Sequence, residues 1–501
     1  MGFEIIHEIA APCDPELLIE SLRGTPGVVL LRSGLFDSRQ ARYSYVTAKP
    51  CLTFRSFGAR CELTFEKGES QVQFGNPWHL LDQLMERYEL LDELDLPFPL
   101  GGCFGYWGYD LKNFVEPKLT RNAINDLDLP DCHVGFYDSL VAFDHHLGKT
   151  WIISTGLRAD GSRSVAHSQK QLTFWANHLR PSRVNFHSSS RLAGADLESF
   201  PGTLNDSPQV ISNFSRAGFI EAVQRAQRYI QAGDIYQVNL AQRLSVSSSC
   251  TGWELFQRLA AVSPAPFAAF IDGGEFQIAS SSPELFLRLS GSQIQTRPIK
   301  GTRPRSTDST RDAQLTYELQ TSAKEMAELV MITDLLRNDL GRVCECGSVQ
   351  VPELVRLERY PQVQHLVSTI EGRLRNDVTH FSALAHCFPG GSITGAPKIR
   401  AMEVIDELEP VTRGPYTGCV GYLGFNRESQ LSIIIRSAIC KRGWNCFYVG
   451  AGIVADSQAE AEYQETLAKA AGFLMAVGAH PQNEPLALPC AGSQSGRLFL
   501  E

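Results

Sequence analysis

Residues 416–455 read YTGCVGYLGFNRESQLSIIIRSAICKRGWNCFYVGAGIVA. Three runs rich in β-branched and aromatic residues, YTGCVGYLGF, LSIIIRSAIC and NCFYVGAGIVA, are separated by the short polar stretches NRESQ and KRGW. Connections this short join antiparallel neighbours, whereas a parallel crossover needs a dozen residues or more. The stretch therefore predicts an antiparallel meander rather than βαβ units. Arg436 interrupts the middle run, and an arginine among isoleucines is costly to bury without an anionic partner.

Helical patterns flank the meander. Ser457-Gln-Ala-Glu460 has the spacing of a capping box and opens a run through EAEYQETLAKAAGFLMAVGA. Upstream, FSRAGFIEAVQRAQRYIQAG places Phe219, Val223, Ala226, Tyr229 and Ile230 at helical spacing and stops at Gly233, while DIYQVNLAQRLSV alternates like a strand. Residues 186–213, rich in Ser, Gly, Asp and Pro, read as a connection between an N-terminal region, 1–185, and a larger region, 214–478. Residues 479–501 read as a loose tail.

At 501 residues with 43% hydrophobic content, the chain can bury a large core. The 55 acidic against 46 basic residues give a net charge of −9, which argues against a nucleic-acid partner. Thirteen cysteines without paired spacing suit reduced thiols. The start carries Glu4 and Glu8 where a signal peptide needs basic residues, and no apolar run reaches the ~18 residues that span a bilayer. These features predict a soluble cytoplasmic protein with no membrane association.

Two carboxylate pairs stand out. SAKEMAELVMITDLLRNDLG reads as a helix with Glu325 and Glu328 on one face, and the last helix repeats the arrangement with Glu462 and Glu465, then Lys469. Like charges three apart repel, and on their own the pairs would be solvated faces. Their apolar company (Leu329, Met331, Ile332 and Leu335; Tyr463, Leu467 and Phe473) argues that the helices pack. If the pairs face each other, a cation belongs between them, and oxygen-only donors favour a hard ion such as Mg²⁺.

FPGGSITGAPKIRAMEVIDEL is a glycine-rich turn entering a helix, suited to an anion. Gly390 and Gly395 have phosphate-loop spacing, but Ala396 and Pro397 stand where Lys and Ser/Thr are required, which excludes a nucleotide loop. Gly450 and Gly452 in VGAGIV offer a second point of backbone approach. These features, with Arg436, suggest a small substrate bearing more than one carboxylate. PIKGTRPR then raises a choice: Lys300, crowded by Arg297, Arg303 and Arg305, is either part of a basic surface or a reactive amine whose charged form the arginines disfavour.

Together GDIYQVNLAQR, SSPELF, PIKGTRPR, DLLRNDLGRV, GGSITGAPK, RGPYTG, GAGIVADS and AEYQET resemble the chorismate-utilising enzymes over roughly Ser212 to Gly478. The N-terminal part resembles the family more weakly, through LLRSG and GGCFGYWGYDL. The resemblance implies an α+β fold of two large, mainly antiparallel β-sheets packed as a sandwich with helices outside. It also implies chorismate as substrate and Mg²⁺ as cofactor, with Glu328 and Glu465 as direct ligands and Glu325 and Glu462 acting through water. Lys300 becomes the nucleophile and Glu284, in SSPELF, the general acid/base. Thr302 falls near the substrate hydroxyl and His365 near the ring, while Tyr416, Arg436, Lys469 and the backbone of Gly450 and Gly452 hold carboxylates.

Within the family, the water-adding members carry a lysine base where this chain has Gln237, and anthranilate synthases carry alanine where it has Lys300. The resemblance is thus to the branch that aminates chorismate at C4, aminodeoxychorismate synthase component I of 4-aminobenzoate and folate biosynthesis. Anthranilate synthase component I is the alternative. Ammonia would come from a separate glutamine amidotransferase subunit in a heterodimer, since no triad domain is evident in the chain. Related proteins bind tryptophan in the N-terminal part, and Ser33, Tyr236, Pro266 and Phe267 fall at the matching places.

Overall fold

The computed structural model describes residues 5–9, 14–34, 42–91, 96–179, 208–360, 362–479 and 485–487. Its frame is two sheets, one of thirteen and one of twelve strands, in which all pairings but one are antiparallel. Each sheet takes strands from both sides of residues 186–213: Val29–Arg32 pairs with Phe267–Asp272 in the first, and Gly102–Trp107 with Cys419–Gly424 in the second.

The two-residue period of a strand sends alternate side chains to opposite layers. Val29, Tyr45, Ala142 and Ile271 enter the large core shared by the two sheets, where Tyr45 meets Tyr422 edge-on at 5.2 Å. Leu30, Val46, Val141 and Phe270 face a second core beneath the helices Pro15–Ser21, Gly252–Val262 and Ala459–Ala476. Strands covered on both faces lose the polar alternation: Gly102–Trp107, Cys132–Tyr137 and Cys419–Gly424 are buried at every residue. The result is the α+β sandwich that the resemblance implied. Among the described residues, no helix is long and apolar enough to cross a membrane.

The single meander expected of residues 416–455 is two hairpins in different sheets. Cys419–Gly424 and Glu428–Ile433 pair in the twelve-stranded sheet, while Ser437–Lys441 and Trp444–Ile453 pair in the other. The middle run breaks at Arg436, whose φ of +50° turns the chain from one sheet to the next. Its unbroken isoleucines, buried in two successive environments, hid the break. NRESQ is likewise shorter as a turn, because Glu428, Ser429 and Gln430 already belong to a strand.

PIKGTRPR is not a loop. Ile299–Pro304 is a strand paired with Val363–Arg373, and its register slips between Lys300 and Thr302. Gly301 sits in the slip at φ +69°, where a side chain would also meet Leu319 Cδ1 at 2.7 Å. The capping box does not form either: Gln458 is the N-cap of Ala459–Ala476, and the Ser457 hydroxyl donates to Glu462 Oε1 at 2.6 Å. Gly233 follows the helix Arg216–Gln231 at φ +80°, as a helix-terminating glycine does. The tail lies mostly outside the described residues, although Leu486–Ala487 pairs in parallel with Ile211 and Ser212.

A buried ion pair pins the turn before these hairpins. Arg413 donates to Glu409 through Nη2 at 2.6 Å and Nε at 2.9 Å, with both side chains almost fully enclosed. Glu409→Ala would strand a buried guanidinium at a cost of about 3–5 kcal/mol. A marked fall in Tm is the expected result, and an unchanged Tm would contradict it.

Candidate functional site

A cavity of about 670 Å³ opens where the bulged strand Ile299–Pro304, the helices Ala323–Gly341 and Ala459–Ala476, and the sheet crossing at Arg436 converge. Lys300, Thr302, Glu325, Glu328, Arg436, Gly452, Glu462, Glu465 and Lys469 all line it. Helical periodicity does the sorting: Leu329, Ile332 and Leu336 face the core while Glu325 and Glu328 face the cavity.

The four glutamates do share one space, as expected from their spacing. Burial raises the Glu328 carboxyl above its ordinary range, Lys300 and Lys324 oppose this, and Glu325 and Glu465 push the same way. Burial likewise raises Glu462, opposed by the hydrogen bond from Ser457 and reinforced by Glu465. Each carboxylate has its own protein partner. Lys300 Nζ lies 3.8 Å from Glu328, Arg303 Nη1 3.4 Å from Glu325, and Lys469 Nζ 2.7 Å from Glu465. Among the described residues, no three of them converge on one point. The oxygen-only donor set suits a hard divalent cation, whose charge would offset the burial, and the smaller mutual repulsion, that raise Glu328 and Glu462.

Glu284 is buried within electrostatic reach of Lys300 and Arg436, and burial pushes its carboxyl up to about 7 against the Ser392 hydroxyl and those two charges. Arg436 is itself disfavoured by burial, with Glu284 as its compensating charge. An embedded cation facing a cavity is what a carboxylate-bearing ligand requires. The arginines around Lys300 do not act as bare cations, contrary to the reading of PIKGTRPR. Arg297 bonds Glu358 at 2.5 Å, Arg305 bonds Asp312 at 2.9 Å, and Arg303 is held by Glu325.

Thr302 Oγ1 and His365 Nδ1 meet at 2.9 Å. His365 is buried, which lowers its pKa to about 4 and keeps it neutral, and it faces a smaller adjoining cavity rather than the main one. Tyr416 is not at the surface of either cavity. It is buried behind Gly450, stacked on Tyr448 at 5.1 Å, and its hydroxyl occupies the space a Gly450 side chain would need. The Gly450 carbonyl accepts from Lys469 Nζ at 2.9 Å, and a side chain at Gly452 would strike Gln237 Nε2 at 2.6 Å. Of the two glycines, Gly452 lines the cavity. At Gly390 and Gly391 a side chain would meet Ile433 Cδ1 at 2.8 Å and Leu335 Cδ2 at 2.6 Å, so close packing requires both glycines.

Ser33 and Phe267 come together where Arg32 pairs with Ala268, next to the Gly34 N–H that donates to Ala265 at 3.1 Å. Pro266 lies beside them and lines the smaller cavity. Tyr236 is 71% exposed and precedes Gln237–Ser247, four strands along the sheet from Phe267–Asp272. The structure does not bring it to the other three. Sequence reasoning missed Lys324, which lines the cavity one helical turn before Glu328, and Ser392, which lies between the glycines of GGSITGAPK. The four-residue spacing of Lys324 and Glu328 was the available signal.

The family of chorismate binding enzymes matches residues 33–475, extending well before the Ser212–Gly478 stretch that carried the resemblance. The chain is 39% identical to aminodeoxychorismate synthase component 1 of Escherichia coli K12 over 456 residues, covering 91% of this chain and 94% of that one. It is 37% identical to anthranilate synthase component 1 of Acetivibrio thermocellus over 448 residues, 89% of each chain. Anthranilate synthase component I of Streptococcus pneumoniae superposes with a TM-score of 0.74 at 30% identity, covering 87% of this chain and 93% of that one. On sequence, fold and the contents of its cavity, the chain belongs to the chorismate binding enzymes and is a chorismate-utilising enzyme.

Proposed function

We propose that the protein aminates chorismate at C4, giving 4-amino-4-deoxychorismate for 4-aminobenzoate and folate synthesis, with ammonia delivered by a separate glutamine amidotransferase subunit. The observation that carries this reading is Lys300. A strand bulge sets its amine in the cavity wall, beside Glu328 and within electrostatic reach of the buried Glu284. Anthranilate synthases lack an amine at this position in the pattern to which the chain was matched. Relatives bearing both names stand at similar identity, so the amine, and not overall similarity, favours C4.

The chemistry needs two displacements. The Lys300 amine bonds through its nitrogen lone pair to C2 as both ring double bonds shift, and the C4 hydroxyl departs with a proton from Glu284, leaving as water. The new C2 ammonium returns a proton to Glu284. Ammonia then bonds to C4, the C2–Nζ bond breaks, and the departing lysine takes the proton that the incoming nitrogen sheds. Mg²⁺, held by Glu328 and Glu465 directly and by Glu325 and Glu462 through water, would supply positive charge for the substrate's anionic groups. Arg436 and Lys469 bind and orient carboxylates, and the Thr302–His365 pair presents a hydroxyl to the ring.

Arg436→Met should raise the KM for chorismate by about 10–100-fold, the worth of one charged hydrogen bond. An unchanged KM would remove Arg436 from the substrate's seat. The reading as a whole is tested by product identity. Protein, chorismate, ammonium and Mg²⁺ should yield a product that a downstream lyase converts to 4-aminobenzoate. Fluorescent anthranilate as the main product would overturn the proposal in favour of anthranilate synthesis.

A further inference from the structure

The cations that line the cavity are not equally engaged. Lys300, Arg303 and Lys469 each face a glutamate, at 3.8, 3.4 and 2.7 Å, and Lys469 also donates to the Gly450 carbonyl at 2.9 Å. Two further cations line the same space, Arg436 and Lys324, and among the described residues neither forms an ion pair. Arg436 is embedded, with the charge of Glu284 offsetting the cost of its burial. Lys324 is exposed at the rim, in the first turn of the helix Ala323–Gly341.

Helix stability does not account for a lysine at this position. A cation in the first turn meets the positive end of the helix dipole. A lysine four residues before a glutamate is also the weaker orientation of such a pair. The charge of Lys324 does reach Glu328 and Glu462. Those carboxylates have partners of their own, however, Lys300 for Glu328 and the Ser457 hydroxyl, at 2.6 Å, for Glu462.

Chorismate is a dicarboxylate. In a chain of net charge −9, entering a cavity that holds four glutamates, each of its carboxylates needs a cation. The cavity leaves two uncommitted, one embedded and one at the rim. We propose that Lys324 is a further substrate-binding residue, which takes the carboxylate of chorismate that Arg436 does not. The inference rests on chorismate as the substrate and holds for amination at either ring position. An ammonium on a flexible stem suits the task, because it follows a carboxylate as a point charge without demanding one orientation.

The test measures chorismate consumption by purified protein with ammonium and with Mg²⁺ saturating for each variant. Lys324→Gln should raise the KM for chorismate by about fivefold, the upper worth of an exposed ion pair. Lys324→Glu, which replaces attraction by repulsion, should raise it by about 25-fold. In both, kcat should stay within twofold of wild type, and Lys324→Arg should keep KM within twofold. At 0.5 M KCl, where screening acts beyond about 4 Å, the gap between Lys324→Gln and wild type should close to less than twofold. Calorimetry with Mg²⁺ alone should show binding no weaker in Lys324→Gln, since a cation beside two of the carboxylates is gone. Two results would overturn the assignment: an unchanged KM in both the Gln and Glu variants, or Mg²⁺ affinity lost in step with chorismate affinity, which would make Lys324 a support of the carboxylate cluster. A wild-type protein that consumed no chorismate would defeat the substrate reading itself, an outcome distinct from either.

Discussion

Lys300→Ala should abolish C4 amination, with kcat falling by about 10³-fold or more, as expected when a covalent nucleophile is removed. The variant should fold normally. Lys300 contributes backbone pairing to the strand Ile299–Pro304, and its side chain has a single, partly exposed ion contact, Glu328 at 3.8 Å. Losing such a pair costs at most about 1 kcal/mol. Circular dichroism and chorismate binding should therefore remain near wild type while turnover disappears. Lys300→Arg should not rescue, because a guanidinium keeps its proton and is no nucleophile at neutral pH. A Lys300→Ala enzyme that still made the 4-amino product at tens of per cent of the wild-type rate would refute the assigned role.

Glu284→Gln should cost about 10²–10⁴-fold in kcat, the range for a positioned proton donor. The pH profile separates this role from a structural one. Burial pushes the Glu284 carboxyl up to about 7, so the proton needed by the departing hydroxyl is present below that pH and lost above it. Wild-type kcat/KM should fall as pH rises through about 7, and the glutamine variant should lose that limb. Stability follows the same sign. A carboxyl raised from 4.5 to about 7 in the folded state contributes stability that is fully present below pH 4.5 and is lost as pH rises through about 7. Glu284→Gln should flatten that dependence. A variant with the same alkaline limb as wild type would place the acid elsewhere.

The parts of the site fixed by local periodicity were legible in the sequence. Glu325 and Glu328, like Glu462 and Glu465, needed only helical spacing to be assigned to one face, and both helices present them to one cavity. What spacing cannot reveal is which non-local neighbour fills the space behind a residue. Gly450 and Gly452 read as points of ligand approach, and Gly452 lines the cavity, but the neighbours Tyr416 and Gln237, distant in sequence, could not be read from the motif. The arginines of PIKGTRPR read as a local positive field because Glu358 and Asp312, their compensating charges, lie outside the motif. The sheet change at Arg436 was hidden for a related reason. Apolar runs report that a segment is buried but not in which layer, and a single left-handed residue reassigns everything after it. The lysine that decides the chemistry was visible from the start, but the bulge at Gly301 that puts it in the cavity wall was not.

The central claim, that Lys300 carries the substrate during turnover, is tested most directly by intact mass spectrometry. Protein mixed with chorismate and Mg²⁺ in the absence of ammonia and then quenched should gain the mass of chorismate less one water, and peptide mapping should put the addition on Lys300. The adduct should vanish on adding ammonium and should not form in Lys300→Ala. An adduct of the same mass in Lys300→Ala, or its mapping to another residue, would contradict the account.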